Sequence, residues 1–197
     1  MTVSADEIML ERLFKTARSQ NGWRDEPVGD DQLREAYDIA KWGPTSMNTQ
    51  PMRILLLRSK EAKERLAPAL APTNVDKMTS APVVAIIAYD LEFHTRLPVT
   101  FPHNPNAAAY FTGNPASIEP TAFRNGSLQA AFFILALRAV GLDVGPMSGF
   151  DAAKVNAEFL AASTWRVNML CGIGRGDPAK VFDRSPRLSF DEVVLEM

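Results

Sequence analysis

One cysteine, two histidines and no long apolar run: each scarcity in this chain closes off a class of function. Cys171 is the only cysteine, so no intrachain disulfide can form. Its apolar setting (Met169-Leu170-Cys171-Gly172-Ile173) marks it as a small buried hydrophobe rather than a nucleophile. His94 and His103 stand nine positions apart with no cysteine nearby, which is no ligand set, and no metal is expected. The absence of a G-x-S-x-G motif leaves serine hydrolase chemistry without support. No apolar run approaches the roughly 18 residues of a membrane helix. The first residues, Met1-Thr2-Val3-Ser4-Ala5-Asp6-Glu7, have neither the basic nor the apolar region of a signal peptide, so a soluble cytoplasmic protein is expected. Charge is nearly balanced, 21 Lys and Arg against 23 Asp and Glu, and no basic stripe invites nucleic acid.

What remains is ordinary globular material. With 197 residues and 46% hydrophobic content, a single domain over 1–197 with one sizeable core is expected. If the chain is an enzyme, an organic cofactor has to carry the chemistry.

Apolar residues at helical spacing (Ile8, Leu10, Leu13, Phe14) predict a first helix after Ser4. A second carries Leu33, Ala36, Tyr37 and Ala40, is capped by Asp30 or Asp31, and ends at Gly43-Pro44, where glycine tolerates positive φ and proline cannot continue. Residues 52–58 and 81–89 read as buried strands, with a charged helix between them from Ser59 to about residue 70. Residues 91–120, rich in Pro, Asn and Ala, read as irregular, a lid or binding loop. Residues 121–140 give the strongest helix signal and stop at Gly141. Short strands follow at 142–147 and 167–173, with a helix capped by Asp151 between them and an acidic helix after Ser189. Mixed strands and helices of this kind predict an α+β or three-layer arrangement with helices on both faces of one sheet.

Several polar clusters could carry chemistry. Arg18-Ser19-Gln20-Asn21 offers a guanidinium, a hydroxyl and amides to a phosphate, or simply closes a helix. The run Gly43-Pro44-Thr45-Ser46-Met47-Asn48-Thr49-Gln50-Pro51 could present amide and hydroxyl groups to a flat polar ring, or serve as a polar connector. Asn74 and Lys77 share a face if their segment is helical. Gly145-Pro146-Met147-Ser148-Gly149-Phe150 could let a planar ligand approach backbone N–H groups. Gly172-x-Gly174-x-Gly176 has the wrong spacing for a dinucleotide fingerprint and reads as turns at a strand end. Arg184 and Arg187 could reach a phosphate or lie in solvent.

Taken in order, these clusters resemble the FMN-dependent nitroreductase family. The most specific part is Pro44-Thr45-Ser46-x-Asn48-x-Gln50-Pro51 after an amphipathic helix. Within the family, Lys41-Trp42-Gly43-Pro44, Thr121-Ala122-Phe123-Arg124-Asn125 and Pro186-Arg187-Leu188-Ser189-Phe190 are similar to the members that reduce malonic semialdehyde to 3-hydroxypropionate in pyrimidine catabolism. The resemblance implies an α/β/α sandwich around one mixed sheet, and an obligate homodimer holding FMN at the subunit interface. It implies NADH or NADPH as co-substrate and a small aldehyde as acceptor. Arg18, Ser19, Asn21, Arg184 and Arg187 would then serve the FMN phosphate. Asn74 and Lys77 would approach the ribityl chain or the pyrimidine edge, and Pro146, Ser148 and Gly149 would line the ring. Pro44, Thr45, Ser46 and Asn48 would come from the second subunit. Arg96, His103 and Arg124 are the cations available for a substrate carboxylate. Many members carry a basic residue at Asn21 and an acidic one at Ser148, so this chain would hold its flavin with fewer charges.

Overall fold

The computed structural model describes residues 4–197; Met1-Thr2-Val3, part of the leader reading above, lie outside it. Helix α1 (Ala5–Leu10) starts where the Ser4 side chain accepts a hydrogen bond from Glu7 N, and a wider helical turn, Glu11–Lys15, extends it. Then come α2 (Asp30–Ala40), β1 (Met52–Leu57), α3 (Lys60–Leu66), α4 (Val75–Thr79) and β2 (Val83–Asp90). The chain continues through α5 (Leu97–Thr100), α6 (Ala107–Gly113) and the long α7 (Ile118–Ala139). Last are β3 (Asp143–Met147), α8 (Ala152–Val155), β4 (Trp165–Gly174) and the single turn α9 (Phe190–Val193).

The four strands form one sheet in the order β1-β2-β4-β3, and every pair is antiparallel. This corrects the mixed sheet implied by the resemblance. The α3–α4 connection begins and ends at the same end of the sheet, so β2 returns beside β1 antiparallel. The one parallel contact among the described residues is an isolated bridge between Ser19 and Val144.

Central strand β2 is buried along its whole length, and its side chains alternate between two cores. Val83, Ala85 and Ile87 face Leu33 and Ala36 of α2 and Phe133 and Leu137 of α7. Val84, Ile86 and Ala88 face Leu66, Met78 and Val155 on the other side. Helices therefore cover both faces, as the sequence pattern predicts. Strand β1, expected to be buried, is instead an edge strand with Leu56 exposed.

Other expectations shift in instructive ways. Gly29, not Asp30 or Asp31, is the cap of α2; the two aspartates occupy its first turn, where the helix dipole favours them. Gly43 is not used for positive φ: α2 ends at Ala40, and a side chain at Gly43 would overlap the Phe132 ring of α7. Gly141 does take positive φ, 83°, and ends α7 as expected. The stretch read as irregular is largely helical. Pro98 and Pro115 sit in first turns, where a missing N–H costs nothing, so these prolines start short helices. Phe93, Leu97, Ala107 and Phe111 give this segment its own small core against Tyr89 and Ala122.

Candidate functional site

The basic clusters from the two ends of the chain meet. Arg18, Ser19 and Asn21 line one cavity of about 700 Å³ with Arg184 and Arg187. Two further cations face it that motif reading missed, Lys15 and Arg138. Arg138 had a signal: it is the lone charge in the apolar second half of α7. The walls are tied together across the chain. Arg18 donates to Phe182 O, Arg184 to Lys15 O at 2.6 Å and Ala17 O at 3.2 Å, and Arg138 to Leu13 O at 3.0 Å. Asp183 is the only carboxylate in the lining, so positive charge dominates. Burial pushes the Arg138 guanidinium below its usual range.

Beside this cavity the sheet carries glycines instead of side chains. Gly145 and Gly172 are register partners on β3 and β4, and Gly174 follows on the same face. A methyl group on Gly145 would lie 2.6 Å from Gln20 O and 2.9 Å from Lys77 Cε. Gln20, from the 18–21 cluster, and Lys77 therefore converge over one glycine. The reading as strand-end turns holds for Gly174, the last residue of β4, and for Gly176 beyond it, but Gly172 lies within the strand, where its missing side chain makes room for Trp23.

Lys77 is only 9% exposed and has no ion pair among the described residues. Burial pushes its ammonium below the usual lysine range, with the nearby Cys171 sulfur opposing. Asn74 precedes α4 and donates from Nδ2 to Gly149 O at 3.2 Å; a methyl on Gly149 would come within 2.6 Å of that nitrogen. The 74–77 and 145–149 clusters are thus brought together. Pro146 is half-buried, while Ser148 and Gly149 are exposed.

The loop after α2 lies apart from that cavity. Pro44, Ser46 and Asn48 are exposed and Thr45 is half-buried. Met47, Asn48 and Gln50 all take left-handed φ, 51°, 49° and 42°. For L-residues each costs on the order of 1 kcal/mol or more. Fixed anchors hold this conformation: Ser46 N donates to Asn125 Oδ1 at 2.8 Å, Asn48 Nδ2 to Thr100 O at 2.7 Å, and Gln50 N to Thr45 Oγ1 at 3.3 Å. Strain held in this way is characteristic of ligand-binding loops. The three substrate-cation candidates differ in setting. Arg96 lines a cavity of about 200 Å³ with Thr49, Gln50 and Thr100. Arg124 is exposed, one residue before Asn125, and His103 packs its ring 4.0 Å from Phe101. Among the described residues no helix is long and apolar enough to cross a membrane, and no His/Cys/Asp/Glu group is arranged to hold a metal ion.

Comparison with known proteins gives this arrangement a lineage. HadB of Ralstonia pickettii, a candidate NADH dehydrogenase/NAD(P)H nitroreductase, is 58% identical over 187 residues, which cover 94% of this chain and 95% of HadB. A protein of the same description from Stenotrophomonas maltophilia is 53% identical over 194 residues, 98% of each chain. Among solved structures, a candidate nitroreductase from Bacillus subtilis superposes with a TM-score of 0.86 at 23% identity, over 96% of this chain and 99% of that one. A candidate nitroreductase from Exiguobacterium sibiricum, solved in complex with FMN, gives a TM-score of 0.82 at 22% identity, over 100% of this chain and 99% of its own. Residues 15–175, from the end of the first helical stretch to just past β4, match the Nitroreductase family, and the chain belongs to that family.

Proposed function

We propose that this protein is an FMN-dependent NAD(P)H oxidoreductase that works as a homodimer. One observation carries the reading: cations far apart in sequence (Arg18, Arg184, Arg187) line one cavity, and Lys77, buried and without an ion pair among the described residues, lies beside it across Gly145. A long ligand with an anionic end and a flat polar end fits this layout, and FMN is such a ligand. Arg18, Ser19, Asn21, Arg184 and Arg187 would hold the phosphate by charge-assisted hydrogen bonds, with Lys15 and Arg138 adding positive potential. Asn74 and Lys77 would donate to the ribityl chain or the pyrimidine edge. Gly145 and Gly149, where a Cβ would collide with Lys77 and Asn74, let these two side chains lie close to the 145–149 backbone. Ring contacts fall to Pro146, Ser148 and Gly149. The strained loop, through Pro44, Thr45, Ser46 and Asn48, would serve the flavin of the other subunit.

When bound, FMN supplies the two-electron exchange between NAD(P)H and the acceptor. The chain's own residues position both and keep the phosphate charge neutralised. The overall balance is aldehyde + NAD(P)H + H⁺ → alcohol + NAD(P)⁺. Malonic semialdehyde is the acceptor we favour, on the sequence stretches it shares with the reductases of that substrate. Its carboxylate calls for a cation; Arg96, which shares a cavity with Thr49 and Gln50 of the strained loop, Arg124 and His103 are the candidates. A nitro or quinone reductase is the second reading, favoured by the descriptions of HadB and its Stenotrophomonas counterpart.

The visible spectrum of the purified protein tests the cofactor. A flavin band that bleaches with NADH or NADPH and recovers on adding malonic semialdehyde is the expected result. Recovery with nitroaromatics or quinones but not with the aldehyde would transfer the assignment to the second reading. A protein that stays colourless after incubation with FMN would be a binding protein without redox function.

A further inference from the structure

The indole of Trp23 joins the two ends of the proposed flavin site, resting on sheet backbone that carries no side chains. Gly145 and Gly172 face each other across β3 and β4, and Gly174 continues the same face. A methyl on Gly172 would lie 2.6 Å from Trp23 Cζ2, one on Gly174 3.0 Å from Cε3, and one on Gly145 3.2 Å from Cζ2. The ring thus lies over three glycines at once: a side chain on Gly172 would displace it outright, while one on Gly145 or Gly174 would meet Gln20 O or Pro82 first and crowd the indole as well. From this seat the indole Nε1 donates to Lys77 O at 2.8 Å. The Trp23 backbone bridges to Gly176, Arg24 N donates to Arg175 O at 2.8 Å, and Asp177 N donates to Gly22 O at 3.0 Å. Upstream, Gln20 N donates to Val144 O at 3.0 Å. One stretch of chain therefore carries Arg18–Asn21 at one end and grips the Lys77 turn at the other.

The geometry points to Trp23 as a positioning residue for Lys77. Through its indole N–H and its three-glycine seat, it sets where the Lys77 ammonium stands relative to the phosphate cradle. The inference rests on the flavin reading above. Helix α4 has only five residues, too short to hold itself in water. Its Met78 is fully buried against the sheet, but the direction of Lys77 needs a tether of its own. The Trp23 hydrogen bond is that tether. It closes over the carbonyl of the residue that carries the ammonium, which no packing contact at Met78 does.

A double-mutant cycle tests this on flavin-depleted protein, titrated with FMN and with riboflavin and followed by flavin fluorescence. Removing one neutral hydrogen bond predicts that Trp23→Phe weakens both ligands by roughly 3- to 10-fold and equally, because the ring end and not the phosphate end is disturbed. In a Lys77→Met background the same change should have little further effect. Additive losses, or unchanged affinity in Trp23→Phe, would overturn the role. Should Trp23→Phe fail to fold, benzothienylalanine at position 23 keeps the ring shape and deletes only the donor. Amide hydrogen exchange provides an arm that needs no flavin. The amides of α4 should exchange several-fold faster in the variant while those of β2 stay unchanged; unchanged exchange in α4 overturns the tether. A wild type that binds no flavin defeats the cofactor reading instead, and the exchange arm then decides alone whether Trp23 holds the Lys77 turn.

Discussion

A buried ammonium without a counter-ion weakens a fold until something binds it, and Lys77, with no ion pair among the described residues, is such a group. Burial lowers its pKa, so folding carries a penalty for the charged form at every pH below the ordinary lysine range, neutral pH included. Lys77→Met should therefore raise the melting temperature of flavin-free protein and at the same time weaken flavin, a trade of stability for binding. Calorimetry and a flavin titration on the same variant check both halves; a lower melting temperature would make Lys77 structural. At the anionic end, a hydrogen bond to a charged group contributes about 1.5–3 kcal/mol, so Arg18→Ala should weaken FMN by roughly 10- to 150-fold and leave riboflavin nearly unaffected. Equal loss for both ligands would move Arg18 away from the phosphate. Tyr89 supplies a pH signature independent of any ligand. Burial, with the hydrogen bond to Glu119 second, pushes its phenol up to about 12. The raised value means that its contribution is complete below the ordinary tyrosine pKa and is lost as pH rises towards about 12. Urea midpoints should fall over that alkaline window in the wild type and fall less steeply in Tyr89→Phe.

At the scale of elements, the close approach of α2 and α7 sets where the strained loop begins. Gly43 lies against the Phe132 ring, and any Cβ there overlaps it. Gly43→Ala should cost about 1–3 kcal/mol, as overpacking does, and should disturb the loop as well as the core. Denaturant unfolding measures the first effect and flavin affinity the second; a neutral change in both would mean that Phe132 has free space to rotate into. The sequence marked this loop as polar and ordered it among the other clusters, but it could not reveal three left-handed residues without a glycine among them. That conformation is imposed by Asn125 and Thr100, 79 and 52 residues away from their loop partners. Helices with a long apolar period, α2 and α7, were legible because their signal is local. The segment before α7 was not, because its prolines read as breakers when they stand at helix starts. The all-antiparallel sheet was also hidden, since the direction of a strand depends on the path of its connection rather than on its own residues. For the same reason the sequence assigns no role to Lys15, Arg138 or Trp23: each matters through partners remote in the chain.

The whole molecule exposes more large apolar side chains than a monomer needs. Ile8, Leu10 and Phe14 lie on the first helical stretch, Tyr37, Ile39 and Trp42 on and just after α2, and Phe123 and Leu128 on α7. The tail adds Phe182, Leu188, Phe190 and Leu195, 68–87% exposed. Surfaces of this kind are usually covered by another chain. The proposed site requires one, since Pro44, Ser46 and Asn48 are exposed and stand apart from the cavity that collects Arg18 and Arg187. Flavin retention and dimerisation should therefore be lost together. Trp42→Glu combined with Leu128→Glu places charge on two exposed apolar positions whose side chains contribute little to the core of one subunit. Sedimentation should show a wild-type dimer and a mostly monomeric variant with unchanged circular dichroism, and the flavin band should disappear with the dimer. A folded monomer that keeps its flavin would mean that one chain supplies the complete site. The strained loop would then need a different occupant.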